Sequence, residues 1–483
     1  MSVSSDRLLH KPSRQILEMN YFKPWVPLIA LFTALLPTTS ANALCRADLT
    51  PKIDTIAQAP SLKKARLGVL IETQSGQVIY SRDADRYFVP ASNVKLLTTA
   101  AALSSLGPNF TIRTSVYGQP QIGNLQVVGR GDPTFSDDQL NALANQLKTN
   151  GISTISNLLG NDSYFSGPAV NPNWEWEDVQ AGYGAPANSL IINANELGFT
   201  LYPQSVGQPL RVAWDDPSLN NQWQIENFSR SVAAGQPEYI DIGRDLSRPI
   251  LRVYGQLIAG AAPDTASVAV PNPADYFISR FRQTLTRQGI TVAQSGLTTA
   301  AANGPELAAV TSPPLAQWMV RTNRNSKNIY AEAMLKSLGA RTAEDATAAG
   351  VDAVETILQR LGVNPELYEI VDGSGLSRHN LATPQAFVDT LQAMAQSPHA
   401  ATYRNSLAVA GTNGTLRNRL DGIRFIGKTG AVSHNASLSG YLTPPGHEPL
   451  VLSILLNNLD QRGSILRRFL DDIVKVTAQL EDC

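Results

Sequence analysis

Three short constellations in this chain carry the side chains that acyl-transfer chemistry needs: Ser92-Asn93-Val94-Lys95, Asn325-Ser326-Lys327-Asn328 and Lys428-Thr429-Gly430. In the first, serine and lysine stand three residues apart, a spacing that puts both on one helix face. Lys95 is the only charged residue between Arg86 and Arg113, inside the run NVKLLTTAAALSSL. Desolvation there lowers the pKa of its amine and favours the neutral base that could activate the Ser92 hydroxyl. The positive end of a helix starting near Ser92 favours negative charge at that position. The bland alternative is a lysine snorkelling out of a core helix. Ser61-Leu62-Lys63-Lys64 repeats the pattern in a charged, surface-like stretch and reads as chance.

Ser326 and Asn328 add a second hydroxyl and an amide. Ser-x-Asn recurs at Ser218 and Ser433, so this pair informs only through its place between the other two. The third constellation lies in GIRFIGKTG (422–430), which matches a phosphate-binding loop on paper. Such a loop follows a buried strand, carries small residues between its glycines and opens a helix. Here the intervening residues are Ile423, Arg424, Phe425 and Ile426, and strand-like sequence follows. FIGKTGAV therefore reads as a strand, with Gly430 where another backbone comes close. Lys428 and Thr429 there suit a terminal carboxylate, and a peptide could pair along the strand. No nucleotide is expected.

The elements that position these residues follow from the pattern around them. Residues 66–81 alternate about Ser75-Gly76 as a hairpin, and residues 92–106 read as a buried helix. From 109 to 304 the chain turns to short strands and Gly, Pro and Asn turns, with two helix-Gly-Ile-strand units, LNALANQLKTNGISTI and FISRFRQTLTRQGITV. Helical pattern resumes in SPPLAQWMVRTNRNSKNIYAEAMLKSL. Three candidate strands follow, FIGKTGAV, ASLSGYLTP and PLVLSILLNN, then a helix with Ile465, Phe469, Ile473 and Val476 on one face. The two ends thus read as one domain, 44–108 with 305–483, split by an insert over 109–304.

The 483 residues carry 39 basic and 40 acidic side chains, a formal charge of −1, which gives no electrostatic reason to expect nucleic acid or an anionic membrane. Lys23, the apolar run Trp25–Leu36 and Ala41-Asn42-Ala43 form a signal-peptide pattern over 1–43. The run is short for a bilayer span, so the expectation is an exported, periplasmic or otherwise extracytoplasmic chain with no transmembrane segment after cleavage. Its two cysteines, Cys45 and Cys483, either pair across the termini or are unrelated thiols. The five histidines show no metal-ligand spacing, and His379 and His434 read as ordinary polar contacts. No metal or cofactor is expected.

Taken in order, Ser-x-x-Lys at a helix start, Ser-x-Asn and a strand-borne Lys-Thr-Gly form the signature of the penicilloyl serine transferases. From Arg66 onward the chain resembles the low-molecular-mass class C penicillin-binding proteins, the D-alanyl-D-alanine carboxypeptidase/endopeptidases. Lys95 and Ser326 are 231 residues apart (326 − 95), room for the two-subdomain insert that this branch carries. VVGRGDPTF, SPPL, DGSGLSRHN and GTNGTL also look like the family. The resemblance implies a mixed α/β (α+β) penicillin-binding, β-lactamase-like fold, an antiparallel sheet flanked by helices. It implies Ser92 as nucleophile, Lys95 as base and Ser326 as proton relay. Asn328, Lys428, Thr429, Gly430 and Ala431 would bind substrate, with the N–H groups of Ser92 and Ala431 as oxyanion hole. The implied partners are peptidoglycan peptides ending in D-Ala-D-Ala, and β-lactams. A serine β-lactamase and a non-catalytic peptidoglycan or β-lactam receptor are the alternatives. Lys327 stands where the superfamily more often has Asp or Asn, and is expected to point to solvent. Asp372, Ser374 and Arg378 are expected to be scaffold.

Overall fold

The computed structural model describes residues 44–119, 123–340 and 344–483; the signal-peptide reading over 1–43 lies outside them. A six-stranded antiparallel sheet is built from both ends of the chain. Its order is Ala408–Val409, Phe425–Val432, Asn435–Leu442, Leu450–Asn457, Arg66–Thr73, Val78–Arg82. Arg66–Thr73 and Val78–Arg82 form the expected hairpin, with Gly76 at φ 93° in its turn. Period-two alternation gives the sheet two apolar faces. Leu70, Tyr441, Val451 and Leu455 pack with helices Val94–Leu106, Leu315–Asn323, Asn328–Gly339, Ala346–Arg360 and Pro384–Gln396. Val69, Ile71, Leu438, Leu452 and Ile454 face the other way, under helices Arg46–Ala57 and Gly463–Thr477.

The C-terminal helix buries Leu466, Leu470, Ile473, Val474 and Thr477. The expected face is therefore rotated: Ile473 holds its place, and Phe469 and Val476 flank the contact. The run from Leu315 also differs from the expected continuous helix. It stops at Asn323 and restarts at Asn328, and Ser326 in the gap has φ 58°, a left-handed conformation that a serine adopts only under constraint.

Between these two halves, strands Arg113–Gln119, Asn124–Val128, Thr154–Asn161, Thr291–Thr298 and Glu306–Thr311 form one five-stranded sheet. The two helix-Gly-Ile-strand units lie side by side in it, since Thr154–Asn161 pairs in parallel with Thr291–Thr298. Leu140, Leu143 and Leu147 from one helix meet Phe277, Phe281 and Leu285 from the other. A second apolar cluster, around Phe199, Leu201, Trp214, Leu251 and Val253, is shared by a three-stranded and a four-stranded sheet. The sheet pairing carries this intervening chain as far as Thr311. No helix among the described residues is long and apolar enough to cross a membrane.

Candidate active site

Ser92 sits in a short 3-10 turn, Ala91–Asn93, that leads into the helix Val94–Leu106. Every residue from Val94 to Leu103 is buried, which fixes the helix in the core and presents the turn at its rim. Ala91 holds φ 48°, so the chain enters Ser92 through a constrained backbone. Asn93 anchors the turn to the sheet by donating Nδ2–H to Ser439 Oγ at 2.6 Å. Ser437 Oγ donates to Pro90 O at 2.7 Å. Gly430, on the strand alongside, has no room for a side chain: a Cβ there would lie 2.8 Å from Pro90 O and 2.9 Å from Ser92 N. The close backbone expected at that glycine is thus the turn that carries Ser92.

Lys95 is fully buried. Its Nζ donates to Ser92 Oγ at 2.9 Å, to Asn328 Oδ1 at 2.7 Å and to Ser374 O at 2.6 Å. All three acceptors are uncharged, so burial dominates and lowers its pKa to about 7, against partial opposition from the Asp372 and Glu332 carboxylates. The geometry that holds the lysine against Ser92 thus also keeps its neutral form populated near pH 7.

Ser326 and Asn328 reach the site because the helix breaks between Asn323 and Asn328. Asn328 opens the second helix, with Oδ1 on Lys95 and Nδ2–H donating to Tyr183 O at 2.8 Å. Ser326 Oγ accepts from Lys428 Nζ at 2.9 Å. Lys428 is fully buried, also donates to Thr429 O, and is held well below the ordinary lysine pKa by burial, with the nearby Lys95 charge acting the same way. Thr429 Oγ1 donates to Thr415 Oγ1 at 2.8 Å, which brings GTNGTL to the site. The strand Phe425–Val432 is followed by an antiparallel strand, not a helix. Its outer neighbour Ala408–Val409 covers only Gly427 and Ile426, so the edge from Lys428 to Val432 is open. A cleft of about 350 Å³ runs there, lined by Ser92, Ser326, Asn328 and Ala431 among others.

DGSGLSRHN divides. Asp372 is scaffold: buried, it accepts from Gly375 N, Ser377 N, Asn380 Nδ2 and Trp174 Nε1. Ser374 is buried but its carbonyl holds Lys95. Arg378, expected to be scaffold, lines the cleft, paired at 2.7 Å with Asp178. Lys327 does leave the cleft, but its Nζ meets Glu196 Oε1 at 3.1 Å rather than standing free, with its side chain 46% exposed. His379 and His434 are exposed. Cys45 and Cys483 form a disulfide, Cα atoms 5.5 Å apart.

Four residues near the site were not singled out by sequence reasoning. Glu332 is buried one helical turn beyond Asn328, its Oε2 accepts from Gly373 N, and burial raises its pKa; a lone carboxylate in NIYAEAMLKSL was its signal. Asp178 and Tyr183 come from segments whose nearness to Ser92 no local pattern reveals, and Thr415 from GTNGTL, a stretch quoted above without a role for this threonine.

Known proteins share the sequence pattern and the fold of this chain. Residues 49–480 match the D-Ala-D-Ala carboxypeptidase 3 (S13) family. The chain belongs to that family. A D-alanyl-D-alanine carboxypeptidase from an Actinomadura species is 35% identical over 439 residues, 85% of this chain and 81% of that one. A penicillin-sensitive carboxypeptidase A from Dictyostelium discoideum is 27% identical, covering 82% and 83%. The crystal structure of penicillin-binding protein 4 from Haemophilus influenzae superposes with a TM-score of 0.74 at 24% identity, over 89% of this chain and 98% of that one, and shows the same fold. The expected penicillin-binding fold, with its antiparallel sheet flanked by helices, is thus borne out. As a member of this S13 family, the protein is a serine-type D-Ala-D-Ala carboxypeptidase.

Proposed function

We propose that Ser92 is the nucleophile of this carboxypeptidase and that the observation carrying the assignment is the 2.9 Å contact from Lys95 Nζ, a lysine with a pKa of about 7. Neutral Lys95 takes the Ser92 proton as Oγ attacks the carbonyl of the penultimate D-Ala. The N–H groups of Ser92 and Ala431 stabilise the oxyanion. Collapse breaks the peptide bond; the departing D-Ala nitrogen takes the proton that Lys95 removed from Ser92, passed on through the Ser326 hydroxyl, and Lys95 is neutral again. A water then adds to the ester carbonyl, gives its proton to Lys95 and releases the shortened peptide with Ser92 restored.

The stem peptide pairs along the open edge from Lys428 to Val432, with Asn328 holding its amide. The Thr429 and Thr415 hydroxyls receive the terminal carboxylate, with the Lys428 side chain behind them. Residues 109–304 act as an inserted pair of subdomains whose Tyr183 and Asp178 reach the cleft. β-Lactams enter as mimics of the D-Ala-D-Ala end and acylate Ser92. Export, through the 1–43 segment, suits a substrate in the cell wall and a disulfide that needs an oxidising compartment.

The test is intact mass after benzylpenicillin for wild type and Ser92→Ala, with D-Ala release from a peptide ending in D-Ala-D-Ala. A one-to-one adduct on wild type alone, with D-Ala released, supports the reading. Acylation of Ser92→Ala would end it.

A further inference from the structure

Behind the Ser92 cleft lies a second groove of about 630 Å³ that shares Tyr183, Ser326 and Asn328 with it. Its opposite wall is the strand Tyr239–Arg244, at the edge of the four-stranded sheet and paired only with Ile250–Ile258. Backbone parity shows which groups of that strand are open. Asp245 N–H turns inward to Ile250 O at 2.9 Å, whereas Arg244 N–H points outward and donates to Gln180 Oε1 at 3.2 Å. Two-residue alternation then places the backbone N–H and C=O of Ile242 and Ile240 on the same outward side as Arg244. Both residues line the groove. An open strand edge in a groove is a template for an added strand.

The charges say what such a strand carries. Lys327 is neutralised by Glu196, and Arg252 by Glu226 at 2.8 Å with Asp245 beyond. Glu177 and Asp241 line the same groove, are exposed and make no ion pair among the described residues. The unpaired charge is therefore negative and suits a cation.

We propose that this groove is a second peptide subsite, which takes an extended, amine-bearing stretch of the substrate as an added strand on Tyr239–Arg244. The inference rests on the reading of Ser92 given above. The occupant joins the acyl side of the scissile bond, because the groove opens into the cleft at Asn328 and Tyr183, away from Thr429. An amino group on it lies toward Glu177 and Asp241, and its backbone pairs with Ile240 and Ile242. Substrates too short to reach beyond Asn328 leave the groove empty.

The experiment compares kcat/KM for two substrates: a short N-acylated peptide ending in D-Ala-D-Ala with no amino group, and a cross-linked stem-peptide dimer with free amines. In the double variant Glu177→Lys/Asp241→Lys, the dimer should lose about tenfold or more, with the short peptide and benzylpenicillin acylation within about twofold of wild type. Ile242→Pro removes one outward N–H while sparing the ladder to Ile250–Ile258, and should likewise depress only the dimer. An unchanged ratio of the two substrates in both variants overturns the subsite. So does an equal loss on both substrates, which would mean that the variants act through the fold. Failure of wild type to be acylated, or to cleave the short peptide, would instead strike the Ser92 reading.

Discussion

Acylation should titrate with Lys95. Its pKa falls from 10.5 to about 7, a loss of roughly 5 kcal/mol in preference for the ammonium form. A base with a pKa of about 7 is about half neutral at pH 7 and about one part in ten neutral at pH 6; an ordinary lysine at pH 7 would be neutral to only about one part in three thousand. The second-order rate of acylation by benzylpenicillin should therefore drop about tenfold per pH unit below 7 and level off above about 8. The assay is labelled-penicillin acylation at constant ionic strength from pH 5 to 9, with Ser92→Ala as blank. Glu332→Gln supplies an internal control of sign. Glu332 raises the Lys95 pKa only while it is ionised, and burial lifts its own pKa to about 7, so replacing it moves the acid limb only slightly, and toward lower pH. A purely structural role for Glu332 would lower the plateau and leave the limb in place. A wild-type profile flat from pH 5 to 8, or a limb centred above 9, would refute the assignment of Lys95 as the base.

Other perturbations read other parts of the structure. The Cys45–Cys483 bond closes a loop of 438 residues in sequence separation, for which chain entropy alone gives about 6 kcal/mol. The ends are also held by Leu44 N–H to Gln479 O and Glu481 N–H to Leu44 O, so Cys45→Ser should cost less, about 3 kcal/mol. Denaturant unfolding without reductant reads that loss, and equal midpoints for variant and wild type would exclude it. Gly430→Ala drives a Cβ against Pro90 O and Ser92 N and should slow acylation about a hundredfold or more in a protein that still folds; a near-wild-type rate would mean that the turn yields freely. Lys327→Asn breaks only a half-exposed ion pair, worth about 1 kcal/mol or less, and should leave benzylpenicillin acylation within about twofold. A large loss would place Lys327 in the chemistry.

Charging Lys95 also opposes folding, and the sign can be followed through pH. The folded pKa lies below the unfolded one, so the penalty is full below about 7 and is relieved as pH rises toward 10.5. Over that interval wild type should gain about 1.4 kcal/mol per pH unit relative to Lys95→Met. Equilibrium unfolding of the two proteins at pH 7 and 9 reads the difference, and parallel curves would show a lysine that is not desolvated.

The parts legible in the sequence are those fixed by local pattern. The hairpin at 66–82, the strand Phe425–Val432 and the two helix-Gly-Ile-strand units all follow from periodicity and turn chemistry over a dozen residues. The Ser92–Lys95 contact follows from helical spacing within a buried run. What local pattern cannot carry is an event decided by distant partners. The helix break at Arg324–Lys327 is one: Thr415 N–H donates to Arg324 O at 3.1 Å, a contact from ninety-odd residues away that competes with helix continuation. The rotated face of Gly463–Thr477 is another, because the helix Arg46–Ala57, packed against it, shares the selection of its buried stripe.

The same distinction applies to the long intervening segment, whose contacts reach the elements around Lys95. Asn171 Nδ2 donates to Val371 O at 2.7 Å, Trp174 Nε1 to Asp372 Oδ2 at 2.9 Å, and Lys336 Nζ to Pro168 O at 2.8 Å. Tyr183 O fixes the amide of Asn328. Each contact ends on the Asp372–Asn380 turn, its neighbour Val371, or the helix Asn328–Gly339, the two elements whose Ser374 carbonyl and Asn328 side chain hold Lys95. A buried lysine with neutral acceptors keeps a low pKa only while those acceptors stay in place and water stays out. The segment between the two halves of the sheet therefore helps to set the basicity of Lys95 through Asn328 and Ser374, without touching the lysine itself.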